Sequence, residues 1–205
     1  MNDTILIIAN GPSALKKEYG SIIDTFSEVA RINNYKITEY HNFIGNKTTL
    51  WFNGANKKIK IRKINTPKKT VVFVPYDILK IKEEEVIKRT PKRLGLDPEK
   101  YQLVSMEKMK QYEIDSNIKR PTTGFNSIMW SMENYKNVII HGFDFFLNNK
   151  HHYYDSFLTK IKVNIGLTGR AKLHDNAAEN KFVKQLIIAN KIKTLKNYVQ
   201  ENHLI

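Results

Sequence analysis

The sequence predicts a single α/β domain over residues 1–205, with a mostly parallel central sheet and helices on both faces. Short apolar runs that stop at Gly or Pro are typical of buried parallel strands, and they occur at residues 5–8, 71–74 and 138–140. Helical patterns separate these runs, as expected when strands and helices alternate. A chain of 205 residues fills one such domain and is short for two.

The first strand and the turn after it lie in residues 4–15. The apolar run ends at Asn10 and Gly11, and Pro12 suits the first turn of a helix, where its missing N–H costs nothing. Backbone amides at such a helix start have no partner within the helix and favour an anion. Taken alone this turn is a weak signal, because many strand-to-helix turns only connect two elements.

The remaining elements follow from apolar periodicity and from turn residues. A helix is predicted after residue 122 or 123, because a threonine there can cap it. Apolar side chains then recur at i, i+3, i+4 and i+7 from Phe125. Alternating isoleucines in the basic segment 57–69 predict an exposed edge strand. Further strands are predicted at 28–33, 48–52 and 102–106, helix and loop at 78–101, a lid or disordered loop at 148–171, and a closing helix at 177–192.

Composition narrows the classes of function without choosing among them. The net charge of +14 favours phosphate-bearing partners: nucleic acid, an anionic membrane surface or a nucleotide-activated substrate. A biased composition with a solvated basic surface explains the same charge. Cysteine is absent, and the first strand begins close to Met1, so we expect a cytoplasmic protein without a leader or anchor.

Polar clusters follow several predicted strands, at residues 10–13, 31–33, 121–124 and 141–144. The carboxyl ends of parallel strands share one edge of a sheet, so these clusters predict one cleft. Two more clusters, at residues 151–155 and 173–180, supply histidines that can act as acid and base near neutral pH.

Each of these side chains also has a structural explanation. His174 precedes a helix that Asp175 or Asn176 caps, and Glu179 can hold a backbone turn. The tyrosines at 153 and 154 can simply pack. The residues of the 151–155 cluster are potential metal ligands, but adjacent histidines lack the spacing of common zinc sites.

Taken in order, the clusters resemble the sialylmotifs of glycosyltransferase family 29, the animal-type sialyltransferases. The large motif resembles residues 10–13 followed by 20–24, 31–33 and 45–49, and the small motif resembles 121–124 with Gly142 and Phe143. The third motif resembles residues 152–155, and the very small motif resembles His174 with Glu179. Four motifs in the right order are far more specific than any one of them. The resemblance implies a Rossmann-like domain of a GT-A-like type.

The resemblance also implies roles for individual residues. His174 would be the general base that takes the proton of the acceptor hydroxyl, and His152 would stabilise the departing phosphate of a CMP donor. The remaining implied donor contacts are the phosphate and ribose site at Asn10, Gly11, Ser13 and Asn33, the cytidine pocket at Thr122, Thr123, Gly124, Gly142 and Phe143, and an aromatic near the phosphate at Tyr154.

The expected function is inverting transfer of sialic acid from CMP-sialic acid to a sugar hydroxyl, such as that of galactose, on a glycan or glycolipid. No Asp-X-Asp occurs in the sequence, so we expect neither a metal nor another cofactor. A donor such as CMP-Kdo or another CMP-nonulosonate is the alternative, and a basic nucleic-acid-binding protein is the second alternative. Nucleic acid is not the expected partner because its usual recognition motifs are absent. The basic segment 57–69 suits a peripheral contact with an anionic membrane.

Overall fold

The structure is a computed structural model that describes residues 2–62, 67–145, 152–155 and 174–204. Within these residues, seven strands form a single sheet and every neighbouring pair is parallel. The strands are β1 (Asn2–Ile8), β2 (Glu28–Ile32), β3 (Leu50–Asn53), β4 (Lys69–Val72), β5 (Gln102–Leu103), β6 (Tyr135–His141) and β7 (Lys193–Thr194). Their order across the sheet is β5-β4-β3-β2-β1-β6-β7. The predicted α/β class is confirmed.

Helices connect the strands. They are α1 (Gly20–Thr25), α2 (His41–Ile44), α3 (Tyr76–Leu94), α4 (Met106–Ser116), α5 (Thr123–Asn134), α6 (Asn176–Ile188) and α7 (Leu195–Glu201), with 3₁₀ turns at Pro12–Leu15 and Pro98–Lys100. The predicted cap of α5 is confirmed, since Thr122 Oγ1 accepts a hydrogen bond from the Phe125 amide. None of the described helices combines the length and the apolar character needed to cross a membrane.

Both faces of the sheet are covered, and β1 shows how. Alternate side chains of a strand point to opposite faces. Ile5 and Ile7 belong to the larger core, which packs against α3, α4, α5 and α6, whereas Leu6 and Ile8 belong to the smaller core with α1, α2 and α7. This two-sided burial explains why the first strand is a continuous apolar run.

The chain reverses its direction across the sheet at β1. Strands β2 to β5 run outward on one side of β1, and the chain then returns to place β6 on the other side. Ile8 at the end of β1 pairs with Arg31 of β2 and with His141 of β6. The three strands therefore end at the same level, and the loops that follow them meet at this switch point, where α/β sheets bind ligands.

Two predicted elements differ from the structure. Residues 57–62 do not form an edge strand, because the side-chain amide of Asn34 takes the hydrogen bonds that a neighbouring strand would make: its Nδ2 donates to the Lys58 carbonyl (2.8 Å) and its Oδ1 accepts from the Lys60 amide (2.8 Å). The closing helix ends at Ile188 rather than 192, and β7 and α7 follow it.

Helix α4 was not predicted, although its buried Met109, Tyr112 and Ser116 follow helical spacing. Residues 63–66 of the predicted edge strand lie outside the described residues. Only residues 152–155 of the predicted 148–171 loop are described, so that prediction is not tested.

Candidate active site

A cavity of about 330 Å³ lies at the carboxyl ends of β1, β2 and β6, at the switch point. Ten of the twelve predicted site residues line it: Asn10, Gly11, Asn33, Thr122, Thr123, Gly124, Gly142, Phe143, His152 and His174. Residues up to 164 positions apart in the chain thus meet in one cleft, as the predicted parallel sheet requires. Ser13 and Tyr154 are not among the lining residues.

The floor of this active-site pocket depends on two glycines. The Gly11 amide donates to the Gly142 carbonyl (2.9 Å), which brings the turns after β1 and β6 into contact. A Cβ added to Gly11 would lie 2.6 Å from both Asp144 Cγ and the Gly142 oxygen. Gly142 has φ +72°, and a Cβ there would lie 2.8 Å from the Ala9 oxygen. Both positions therefore require glycine for the two turns to pack together.

The first turn already holds a carboxylate. The Ser13 amide donates to Asp144 Oδ2 (3.0 Å), which follows β6. This amide is one of the helix-start donors that the sequence assigns to an anion, and the protein itself supplies that anion. The bond ties the 3₁₀ turn to the β6 loop.

Asn10 and Asn33 are fixed in the wall by hydrogen bonds. Asn10 is almost fully buried, and its Nδ2 donates to the Ile32 carbonyl (2.8 Å), while its Oδ1 has no hydrogen-bond partner among the described residues. Asn33 adopts φ +51°, and its Oδ1 accepts from the Gly54 amide (3.2 Å). Its backbone oxygen also accepts from the indole N–H of Trp51 (2.9 Å). Both side chains are therefore oriented before any ligand binds.

Glu179 of α6 anchors the turn before α5. Its Oε1 accepts from the Thr122 amide (2.7 Å) and its Oε2 accepts from the Thr122 hydroxyl (2.7 Å). The carboxyl group is buried, and burial raises its pKa to about 7 although both hydrogen bonds favour the charged form. The structural explanation of Glu179, that it holds a backbone turn, agrees with this geometry.

His174 lies at the start of α6 on the border of the pocket, half-buried. Its Nδ1 is 2.6 Å from the Arg120 carbonyl oxygen. A carbonyl only accepts, so Nδ1 carries a proton in this contact, and in the neutral imidazole Nε2 then has the lone pair. Asp175 caps the helix by accepting from the Ala178 amide (2.9 Å). The cap therefore leaves the imidazole out of the helix hydrogen bonding.

His152 also lines the pocket. Its ring stacks on that of Tyr154, with centroids 5.2 Å apart. Tyr153 between them packs inward: its ring is buried, its amide donates to the Asn10 carbonyl (3.0 Å), and its hydroxyl donates to the Lys36 carbonyl (2.8 Å). Tyr153 thus serves packing, and Tyr154 supports the imidazole instead of lining the cavity. His151 lies outside the described residues.

Two polar residues of the predicted cleft point elsewhere. Arg31 is fully buried and holds the 44–48 loop, donating to the Ile44 and Gly45 carbonyls at 2.7 and 2.9 Å. The imidazole of His141 contacts the Ala14 oxygen (3.1 Å), and burial lowers its pKa to about 4. Both side chains are thus held by backbone carbonyls of neighbouring loops and stabilise the fold.

Three contributions to the pocket were not predicted from the sequence. Asn56 and Phe145 line it, and the Arg120 carbonyl orients His174. Asn56 follows β3 by three positions, so the rule that selected the other turns also applies to it. Nothing in the sequence marks a backbone carbonyl as a partner of a histidine. Among the residues that the structure describes, no group of three His, Asp or Glu side chains is placed to hold a metal.

The fold is that of solved sialyltransferases. A mammalian sialyltransferase in complex with Gal-beta-1-3GalNAc-ortho-nitrophenol has a TM-score of 0.69 at 18% identity, over 95% of this chain and 70% of that one. Another structure of a mammalian sialyltransferase has a TM-score of 0.68 at 21% sequence identity, over 95% of this chain and 69% of that one. A Tyr-to-Phe variant of the sialyltransferase CST-II in complex with CMP has a TM-score of 0.59 at 16% sequence identity, over 94% of this chain and 80% of that one. No curated protein matches the chain.

The sequence itself shows the family. The model of glycosyltransferase family 29 (sialyltransferase) matches residues 4–191, nearly the whole chain. The protein therefore belongs to glycosyltransferase family 29 and is a sialyltransferase. The resemblance read from the motifs is confirmed, and the enzyme is favoured over the nucleic-acid-binding alternative.

Proposed function

We propose that the protein transfers sialic acid from CMP-sialic acid to a sugar hydroxyl of a glycan or glycolipid, with inversion at the anomeric carbon. The observation that carries this proposal is the position of His174. Its imidazole borders the same pocket as Asn10, Asn33 and the two glycine turns, with Nδ1 held by the Arg120 carbonyl.

This position suits a general base. Nε2 has the lone pair, so it accepts the proton of the acceptor hydroxyl while the hydroxyl oxygen bonds to the anomeric carbon. The bond from that carbon to the phosphate oxygen breaks at the same time, and CMP leaves from the opposite face. Attack from the face opposite the leaving group inverts the configuration. Holding Nδ1 fixes the tautomer and the direction of Nε2.

The donor is assigned to the residues that line the active-site pocket together with His174. Asn10, Gly11 and Asn33 lie at the ends of β1 and β2, where the phosphate and ribose would bind, with His152 beside the phosphate. A histidine stabilises the negative charge of a departing monophosphate by donating a hydrogen bond. Thr122, Thr123, Gly124, Gly142 and Phe143 form the assigned cytidine site. The CMP complex of a sialyltransferase with the same fold supports a CMP donor.

The hydroxyl of Thr122 needs a revised role within this proposal. It donates to Glu179 and accepts from the Phe125 amide, so its only proton and one of its two lone pairs are used inside the protein. Thr122 therefore shapes the cytidine site, while Thr123 and the Gly124 backbone are available to contact the base. A Cβ on Gly124 would lie 3.3 Å from Phe143, so glycine keeps the site open there.

Metal independence, the GT-A-like description and a cytoplasmic location remain part of the proposal. The sequence supports the first, since it has no Asp-X-Asp pair of the kind that holds Mg²⁺ on a nucleoside diphosphate. A monophosphate leaving group carries less charge than a diphosphate, and histidine with backbone amides can neutralise it.

The test is a comparison of nucleotides and donors on the purified protein. We expect CMP to raise the melting temperature and UDP and GDP to leave it unchanged, because the pocket is assigned to cytosine and one phosphate. With CMP-sialic acid and a β-galactoside, NMR should show a product whose anomeric configuration is opposite to that of the donor, in the presence of EDTA. Equal stabilisation by all three nucleotides, or a product only with CMP-Kdo, would contradict the assigned donor.

A further inference from the structure

A second cavity, of about 350 Å³, opens beside the active-site pocket at the carboxyl ends of β3 and β4. Its apolar base is formed by Phe73, Pro75 and Ile78. Asn56, Thr123 and His174 line both this cavity and the active-site pocket, so the two are adjacent and share the imidazole. Its volume is in the range of roughly 300–1,000 Å³ that is typical of ligand sites.

Four cationic side chains line this cavity, which we name the arginine groove: Lys57, Arg89, Arg93 and Arg120. None of the described residues that line it is an Asp or Glu. Clustered like charges repel one another and are costly unless an anion offsets them. The groove therefore has the electrostatic character of an anion site.

Neighbouring carboxylates neutralise only part of this charge. Arg89 pairs with Glu85 (2.7 Å) and Arg120 pairs with Asp77 (2.9 Å). Both carboxylates are more than half exposed, so water weakens these pairs. Lys57 and Arg93 form no ion pair among the described residues, although the charge of Glu85 also acts on Arg93.

Arg93 is held in place by the backbone. Its Nη1 donates to the Ala55 carbonyl (2.7 Å), a hydrogen bond that fixes the guanidinium without neutralising it. Burial lowers the pKa of Arg93 and repulsion by Arg89 lowers it further, while the charge of Glu85 acts in the opposite direction.

The position beside His174 indicates which ligand the groove takes. In the proposed reaction the donor lies in the active-site pocket, and the acceptor hydroxyl must reach the same imidazole from another direction. The groove provides such an approach. We infer that the arginine groove is the acceptor subsite, and that the preferred acceptor carries a carboxylate or phosphate close to the hydroxyl that is glycosylated. This inference rests on the proposed function.

The test compares three acceptors that differ in charge: lactose, sialyllactose and a lactose phosphate. We expect the wild-type protein to show a higher kcat/KM for at least one acidic acceptor than for lactose. Its KM should rise with added NaCl, because salt screens partly exposed charges. Preference for sialyllactose would identify a carboxylate acceptor, and preference for the phosphate would identify a phosphorylated one.

Lys57→Gln with Arg89→Gln removes two of the four cations. We expect about a ten-fold higher KM for the preferred acidic acceptor with little change in kcat, since each partly exposed pair contributes up to about five-fold. Lys80→Gln with Lys88→Gln is the matched control, because it removes the same charge from exposed positions of α3 outside the groove. The control should keep the wild-type KM. Both variants should retain stabilisation by CMP.

The outcomes separate this inference from the proposed function. If CMP stabilises the protein but lactose is as good an acceptor as both acidic sugars, the inference is wrong and the proposed function is untouched. Equal losses in the variant and its control would also overturn it. If CMP does not bind, the proposed function fails, and NMR titration of the three sugars still decides whether the groove binds anions: binding of lactose as tight as that of the acidic sugars would exclude it.

Discussion

Glu179 and His141 should affect stability in opposite directions as the pH changes. Burial raises the pKa of Glu179 to about 7 from the ordinary 4.5, and burial lowers the pKa of His141 to about 4 from 6.5. Glu179 binds more protons in the folded state between pH 4.5 and 7, so its contribution to stability falls as the pH rises through that window. His141 binds fewer protons in the folded state between pH 4 and 6.5, so its contribution rises with pH.

The two contributions are similar in size. A change in pKa from 4.5 to about 7 corresponds to about 3 kcal/mol, and a change from 6.5 to about 4 gives the same amount with the opposite sign. The windows overlap between pH 4.5 and 6.5. The two contributions therefore nearly cancel in the wild-type protein, and together they should change its free energy of unfolding little between pH 4.5 and 6.5.

Single substitutions remove one contribution and leave the other. Glu179→Gln keeps the shape of the side chain, and we expect the free energy of unfolding to rise by about 3 kcal/mol from pH 4.5 to 6.5 in this variant. His141→Gln should show a fall of about the same size from pH 4.5 to 7. Urea unfolding followed by the fluorescence of Trp51 and Trp130, both buried, measures these values at several pH points.

The double variant is the control for every other titrating group. Its free energy of unfolding should be as flat between pH 4.5 and 6.5 as that of the wild type. If Glu179→Gln instead follows the wild-type profile, the carboxyl group has an ordinary pKa in the folded protein, and the inference that burial outweighs its two hydrogen bonds to Thr122 is wrong.

Two further substitutions test the packing below the site. Gly142→Ala should lower the free energy of unfolding by on the order of 2 kcal/mol, because φ is +72° and the new Cβ would meet the Ala9 backbone oxygen. Gly95→Ala is the control, since its nearest neighbours would be atoms of the Ile61 side chain. It should lower the free energy of unfolding by less in the same urea titration. Arg31→Met should lower the free energy of unfolding by on the order of 3 kcal/mol, because the carbonyls of the 44–48 loop lose their buried donors. A loss below about 1 kcal/mol would show that the loop keeps its conformation without Arg31.

Much of the fold follows from local signals that agree with tertiary structure. The apolar run of β1 predicts a strand buried on both faces, and its alternate residues enter the two cores. The Thr122 cap is a local hydrogen bond, and the structure contains it. Signals of this kind depend on few residues, so the sequence carries them directly.

The elements that failed depend on distant partners. Alternating isoleucines at 57–69 predict a strand, but the Asn34 side chain, more than twenty residues away, bonds the backbone there instead. Strand β7 has only two residues and exists because β6 lies beside it. Neither outcome has a local signal, because the competing partner is far away in the sequence.

The candidate site shows the same division. The sequence predicts that turns after parallel strands lie at one edge of the sheet, and ten of the predicted site residues do line one pocket there. The directions of individual side chains could not be predicted. The Ser13 amide binds Asp144, and Arg31 points away from the cleft, because each is decided by neighbours from other loops. The roles of the site residues therefore remain predictions.

The most direct test of the proposed mechanism is the rate of transfer by His174→Ala. A general base contributes about 10² to 10⁴-fold, so we predict that kcat falls by on the order of 10³-fold while CMP still raises the melting temperature. His203→Ala is the control, because His203 is exposed and does not line the active-site pocket, and this variant should keep the wild-type rate. Transfer by His174→Ala within ten-fold of wild type would contradict the assignment of His174 as the base.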